Sequence, residues 1–336
     1  MKMRVFYASI ALAPLLQAGE LDVRTSIERA APLLQKSGPI FWQNTGCISC
    51  HQNVLPEMAI ATAQDHGFAV NVTAAKAMLE INAEYVRARA DRMLQGLTPP
   101  GGEDTTAYVV FSLAMAHYPG NAGTEAGARY MKIHRAPDGH WRIRAHRPPL
   151  ESSSIALTAV TIRVLEAFAP PSQREQYLQS VARASRWLAQ SNARTMEEMN
   201  FKLLGLVWAG ANPSIIALAA RAVSKSQRPD GGWGQLLTLE SDAYATGQAL
   251  VALQASGMKT SDATYQRGVA FLLKSQLPDG SWHVKSRSEA FQPYFESGFP
   301  HGTDQWISSA GTSWAITALA LTEPAHRPIP RVSASK

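Results

Sequence analysis

One pentapeptide constrains this chain more than any other feature. Pro-Asp-Gly-x-Trp occurs at Pro137 to Trp141, Pro229 to Trp233 and Pro278 to Trp282. The three Trp residues are 92 and 49 positions apart, so the first gap holds about two repeats. Each copy follows an amphipathic stretch and precedes one rich in small residues. Pro ends the helix before it, and Asp-Gly turns the chain through glycine's access to positive φ. Gln upstream can bond the free carbonyls at the helix end, and Trp offers a large face to the next repeat. Six helix–loop–helix units follow from this reading. The first helices are predicted near 25–36, 74–95, 124–134, 175–191, 214–226 and 262–275. The second helices are predicted near 54–66, 105–118, 152–168, 197–209, 241–256 and 310–322. Ala156 to Ala169, Ala243 to Ala255 and Ala310 to Leu321 carry almost no charge, as buried helices should. The whole chain is 17% charged, against about 25% for a typical soluble domain. That deficit argues for extensive burial and against disorder. No apolar run reaches the roughly 18–20 residues of a membrane-spanning helix.

The third copy is the fullest: Arg267-Gly268, Phe271-Leu272, Gln276, Gly280 and Trp282. The second has Arg221, Gln227, Gly231 and Trp233. These segments resemble the QW repeats of the squalene cyclase and prenyltransferase superfamily. The resemblance implies an all-α fold, an α/α toroid or (α/α)6 barrel with inner and outer rings of helices. The domain reading is then a signal peptide at 1–18, one toroid at 19–324 with a special loop at 46–51, and a flexible tail at 325–336. In the cyclases an Asp-x-Asp-Asp-Thr-Ala motif donates the initiating proton. The nearest match is Gly101-Gly102-Glu103-Asp104-Thr105-Thr106-Ala107, which lacks the leading Asp and has Glu103 for the middle one. Half the acid cluster is therefore missing. The zinc-dependent prenyltransferases need a Cys ligand, and both cysteines of this chain lie in another motif.

That motif is Gly46-Cys47-Ile48-Ser49-Cys50-His51. Two thiols at this spacing followed by His suit covalent haem c attachment, with Cys47 and Cys50 as thioethers and His51 as the iron ligand. A Cys-x-x-Cys redox pair is the rival reading. Such pairs normally open a helix after a buried strand, and no Val/Ile-rich strand precedes Cys47. Met58 is a candidate sixth ligand; His66, His117, His140 and His146 are remote ones, and an empty or water-filled position is the other choice. Met-Lys-Met-Arg, an apolar run from Val5 to Leu16 and Ala18 describe a secretory signal peptide, hence a periplasmic or cell-envelope location. A buried N-terminal helix is the plainer alternative. Removing Lys2 and Arg4 would take the net charge from +6 to +4, with no basic block suited to nucleic acid.

Asp104, Glu151, Glu197, Asp242 and Asp304 each fall at the start of a predicted inner helix. Capping explains that pattern simply. The functional reading is a ring of carboxylates at the cavity mouth, with Asp104, Glu151 and Asp242 as candidate catalytic residues. Arg142, Arg144 and Arg147 could hold haem propionates or an anionic substrate. The segment from Ser286 to Trp306 exceeds an ordinary connection and reads as a lid over the mouth. The expected function is an exported haem c protein on a cyclase-like toroid, performing electron transfer or redox chemistry. It would act with a redox partner protein and a hydrophobic or anionic ligand in the cavity. A terpenoid cyclase-like enzyme and a non-catalytic binding toroid are the alternatives.

Overall fold

The computed structural model describes residues 22–290 and 293–326. The signal peptide expected at 1–18 and the tail beyond 326 lie outside the described residues. Thirteen α-helices account for most of the described chain, with one isolated β-bridge between Gly234 and Ser241 and no strand among the described residues. Six form an inner ring: α2 (Leu55–Asp65), α5 (Gly102–Met115), α7 (Ser154–Phe168), α9 (Met196–Trp208), α11 (Ala243–Ala255) and α13 (Gln305–Ala320). Each packs on the next, and α13 packs back on α2 to close the circle. The outer ring is α1 (Val23–Thr45), α3 (Val72–Arg87), α6 (Ala122–Ile133), α8 (Arg174–Gln190), α10 (Pro213–Lys225) and α12 (Ala263–Ser275). The short α4 (Ala90–Leu94) completes the count. This is the expected (α/α)6 toroid, and the inner helices are buried almost all round.

The repeat motif works as one device in all three copies. The indole N–H of Trp141, Trp233 and Trp282 donates to the carbonyl ten residues upstream, on Met131, Val223 and Leu272. The backbone N–H of each Trp donates to a Thr hydroxyl of the following inner helix: Thr158, Thr246 and Thr312. Each motif Gly has positive φ and lies against an Arg carbonyl of the next outer helix. An added Cβ would meet Arg183 O at 2.8 Å from Gly139, Arg267 O at 2.5 Å from Gly231, and Arg29 O at 2.6 Å from Gly280. Arg29 belongs to α1, so the third motif seals the ring. Gln276 completes the seam by donating to Ser26 O at 2.8 Å.

The structure departs from the sequence reading in α1 and α3. α1 runs through Pro32 and Pro39 to Thr45 and stops at Gly46, which is left-handed at φ 61°. Gly38 lets this helix press on the next turn, since a Cβ there would meet Gln52 O at 2.8 Å. The helix predicted over 74–95 breaks at Arg89, whose guanidinium stacks on Tyr85. His326 N donates to Asp65 O of α2 at 2.7 Å. No single helix among the described residues is long and apolar enough to cross a membrane.

Every loop from an outer to an inner helix lies on one face, where the inner helices begin. The Cys-x-x-Cys-His loop, the five acids and the long segment before α13 therefore share the mouth of the ring. Aromatic side chains also join inner helices that are not neighbours in the ring. Phe201 of α9 meets Trp314 of α13 at 6.1 Å between ring centroids, and Phe111 of α5 meets Trp208 of α9 at 5.6 Å.

Candidate functional site

Cys47 to His51 follows the end of α1 directly. The Cys47 amide donates to Thr45 Oγ1 at 3.0 Å. Ser49 and Asn53 then clasp each other: Ser49 N donates to Asn53 Oδ1 at 3.0 Å, and Gln52 N donates to Ser49 Oγ at 3.1 Å. The turn Cys50–Val54 is a π-helix, in which bonds run five residues apart. That geometry asks residue 56 to donate to the His51 carbonyl, but Pro56 has no N–H. Ser309 of α13 supplies the bond instead, Oγ to His51 O at 3.0 Å. Asn82 of α3 donates to Asn53 O at 3.3 Å from the other side. The π-turn is thus held by α1, α3 and α13 together.

His51 is buried, and its imidazole sits between the edges of Phe41 and Trp306, each 5.6 Å away centroid to centroid. Its Nδ1 is buried without a hydrogen-bond partner. Burial, helped by nearby Arg147, pushes its pKa down to about 3, so the ring is neutral. The imidazole lines a cavity of about 360 Å³ with Phe41, Arg147, Tyr294 and Trp306. That is at the low end of the roughly 300–1,000 Å³ of small-molecule sites. The long segment forms one wall, as the lid reading expects. It is tied down by Gln52 Nε2 to Ser297 Oγ at 3.0 Å, Ser297 Oγ to Gln305 Oε1 at 2.5 Å, and Asn44 Nδ2 to Glu296 O at 2.7 Å. Phe291 and Gln292 lie outside the described residues.

Both cysteines are free thiols, Cys47 exposed and Cys50 buried. Cys50 Sγ donates to Glu151 Oε1 at 2.5 Å, and burial first, then the Glu151 charge, push its pKa well up. Glu151 pairs with Arg147 at 2.6 Å, and Arg147 lines the His51 cavity. The buried thiol is therefore linked to the cavity wall through two side chains, while neither cysteine lines the cavity itself.

The five acids do gather at the mouth, in separate roles. Asp104 Oδ2 accepts from Arg144 N and Ala145 N, at 3.1 and 2.9 Å. Asp304 accepts from Ser286 N at 2.9 Å and pairs with His283 at 2.8 Å. Asp242 is the N-cap of α11, and burial pushes its pKa up to about 6. It alone among the five accepts a cap bond from its own helix: Ser153 and Thr195 cap α7 and α9, Gly101 precedes α5, and Asp304 sits at the N-cap of α13 without a side-chain cap bond. Glu151 adopts φ 51° and is committed to Arg147 and Cys50. Glu197 differs. It is buried, Tyr244 OH donates to its Oε1 at 3.3 Å, and its Oε2 has no partner. Burial pushes the pKa of its carboxyl well above the usual range. Arg287 of the long segment reaches over this side, donating Nε to Gln235 Oε1 at 2.7 Å.

Several expected residues do not join the site. Met58 packs in the core on α2 and does not line the His51 cavity. His66 is bound to Glu323 O at 2.5 Å, and His117 pairs with Asp65 at 2.9 Å. His140 pairs with Asp138 and stacks on Trp187 at 4.7 Å. Arg142 and His146 are exposed, and Arg144 pairs with Glu103 at 3.1 Å. α13 starts at Gln305, five residues before the predicted start at 310, and this earlier start carries Trp306 and Ser309 on the helix. The sequence reading missed Phe41, Ser309 and Tyr244 as parts of the mouth. It also missed a buried cluster behind the π-turn. Ser112 Oγ donates to Glu57 Oε2 at 2.8 Å, Asn82 donates to the same oxygen, and burial pushes the Glu57 pKa up to about 8.

Comparison with known proteins bears on the fold. The family described as the squalene-hopene cyclase C-terminal domain matches residues 195–320. Drimenyl diphosphate synthase from Streptantibioticus cattleyicolor is 27% identical over 228 residues, 59% of this chain and 41% of its own length. Lanosterol synthase ERG7 from Saccharomyces cerevisiae is 31% identical over 113 residues, 32% of this chain and 14% of its own. The chain thus spans less than half the length of these curated relatives. Among solved structures, a protein from Actinoplanes superposes with TM-score 0.61 and 16% identity over 90% of this chain and 99% of that one. A glycosidase in complex with glucose gives 0.56 and 13%, over 89% and 98%. The type II terpene cyclase MstE from Scytonema gives 0.54 and 15%, over 88% and 98%. At these identities the structures speak for the fold alone. Together the matches support a squalene-cyclase-like α/α toroid. The matched family region does not include Cys47 to His51.

Proposed function

We propose that this toroid is an exported haem c protein, with the haem fixed to the first mouth loop and seated under the long segment. The observation that carries the reading is His51, a buried imidazole with an unpartnered nitrogen, on a cavity wall one residue from a free thiol. No group of three or more His, Cys, Asp or Glu suited to a metal ion occurs among the described residues. A single imidazole suits a metal that brings its own equatorial ligands, as haem iron does. The residues fit that group in part: the wall offers a neutral ligand nitrogen, aromatic rings and a guanidinium that is already paired with Glu151, while neither cysteine lines it. Cys47 and Cys50 would carry the thioethers, with Cys50 leaving Glu151. His51 would hold the iron, Phe41 and Trp306 would exclude water, and Arg147 would bind a carboxylate edge. Bound there, haem supplies one-electron chemistry with a partner protein or a ligand at the mouth. The test is the reduced absorption spectrum of protein made with a haem c maturation system. A haem spectrum that His51→Ala changes while the haem stays covalently attached is the expected result. A colourless folded protein would overturn the reading.

A terpenoid cyclase-like activity is the second reading. Its support is the likeness to the squalene-hopene cyclase family and to drimenyl diphosphate synthase, together with Glu197. That buried carboxyl has its pKa pushed well above the usual range and one oxygen without a partner, at the start of an inner helix. Asp104 is a poorer acid here, because one oxygen holds two loop amides. In this reading Glu197→Gln would abolish turnover of a polyprenyl substrate and Asp104→Asn would only reduce it. Product formation unaffected by Glu197→Gln would count against it.

A further inference from the structure

We propose that a cleft between α2, α3 and α5, on the face of the ring opposite the mouth, binds a small primary alkylamine with its ammonium group on Glu57. The inference goes beyond the haem reading and does not depend on it. The cleft has a volume of about 200 Å³. Gln64 near the end of α2, Val72 at the start of α3 and Ala116 just past α5 all line it, so it opens where the two inner helices end. Ile60, Ala75 and Leu79 give it apolar walls. An apolar cavity of about 150 Å³ holds benzene, so a short alkyl chain fits this volume. Glu57 lines the cleft from two turns deeper than Gln64, on the same face of α2.

The inner end of the cleft is polar. Asn82 follows Met78 and Leu79 by one turn of α3, and Ser112 precedes Ala116 by one turn of α5. Glu57, Asn82 and Ser112 are all buried, with Glu57 only 3% exposed. Glu57 Oε2 accepts from both Ser112 and Asn82. Two atoms of this cluster have no hydrogen-bond partner among the described residues: Glu57 Oε1 and Asn82 Oδ1. The Asn82 oxygen is an acceptor only, and so is the Glu57 oxygen once ionised. An ammonium group carries three donors and no acceptor, so it matches this pair in hydrogen bonding and in charge. Burial pushes the Glu57 pKa up to about 8. A cation against the free oxygen offsets that penalty, and any proton on the carboxyl leaves to solvent as the ammonium arrives. Lys76 also lines the cleft, but it is exposed and lies about 9 Å along α3 from Asn82, where solvent screens its charge. Asn82 donates to Asn53 O as well, at 3.3 Å, so this end of the cleft abuts the π-turn that carries His51.

The experiment titrates n-pentylamine into the full chain at about pH 9, between the Glu57 value of about 8 and the roughly 10.4 of a lysine-like ammonium. Backbone amide NMR shifts report the site. Saturable shifts at Ile60, Ala75 and Leu79 are expected. Glu57→Gln keeps the size of the side chain and removes its charge, and should weaken binding about tenfold or more. n-Pentanol, with the same chain and no charge, should bind the unaltered protein more weakly by a similar factor. Ala61→Phe fills the cleft from α2 and should abolish binding with Glu57 still in place. Shifts that never saturate would overturn the inference. So would n-pentanol binding as tightly as n-pentylamine, or Glu57→Gln binding the amine unchanged, since either would leave an apolar crevice only. Amine binding undiminished by Ala61→Phe would place the site elsewhere and sink it equally. Should Glu57→Gln not fold, the n-pentanol and Ala61→Phe comparisons decide alone.

Discussion

At the residue scale, the mouth depends on a few side chains that compensate for their neighbours. Pro56 deprives the His51 carbonyl of its π-helical donor, and Ser309 replaces it. Ser309→Ala should leave that buried carbonyl unsatisfied and cost about 1–3 kcal/mol. Chemical denaturation checks this, and a change below about 0.5 kcal/mol would contradict it. Glu57 makes a pH prediction. Its carboxyl is raised from 4.5 to about 8 in the folded chain. Between those values the folded chain holds a proton that the unfolded chain has lost. Stability from this group is therefore full below pH 4.5 and is lost as pH rises towards 8. The slope is about 1.4 kcal/mol per pH unit for one such group. Glu57→Gln should flatten the fall in stability across that window, and an unchanged slope would contradict the assignment. The sequence shows Cys47, Cys50 and His51 at once, because their spacing is their signal. It hides Ser309, Phe41 and Glu57. Nothing local to a Ser in an apolar helix reveals that a proline about 250 residues away needs its hydroxyl.

At the element scale, the outer-to-inner loop is the unit that repeats. Its glycine is required twice, for positive φ and for contact with the next outer helix. Gly280→Ala would place a Cβ 2.6 Å from Arg29 O at φ 91°, whereas Gly210, at φ 60°, has nothing within 4 Å. Gly210→Ala should therefore cost only the conformational penalty of about 1–2 kcal/mol. Gly280→Ala should cost clearly more, and equal melting temperatures would contradict the seam assignment. Twelve of the helices were legible from periodicity to within a few residues at most ends, since amphipathic and all-apolar stretches alternate so regularly. The true extent of α1 was not. Pro39 and Gly38 read as a loop, yet Gly38 is there for close approach to Gln52 and the helix continues past both. The capping reading of the mouth acids held for Asp242. It failed for Asp104 and Asp304, because loop amides from distant residues reach them first.

At the scale of the whole molecule, closure is the organising fact. The last repeat motif bonds to the first helix, so no outer helix is a free end among the described residues. Unfolding in denaturant should follow one transition by both tryptophan fluorescence and helical circular dichroism. Two separated transitions would mean the ring opens as a linear array. The cavity at the mouth is lined by His51 of the Cys-x-x-Cys-His turn and by the long segment. The likeness to the squalene-hopene cyclase C-terminal domain covers residues 195–320 and leaves the cysteine motif unaccounted for. The most direct test is the intact mass of the denatured protein after export in cells that mature haem c. The account predicts the polypeptide plus one haem, lost when Cys47 and Cys50 are both replaced by Ser. A folded, exported chain with the mass of polypeptide alone would contradict it.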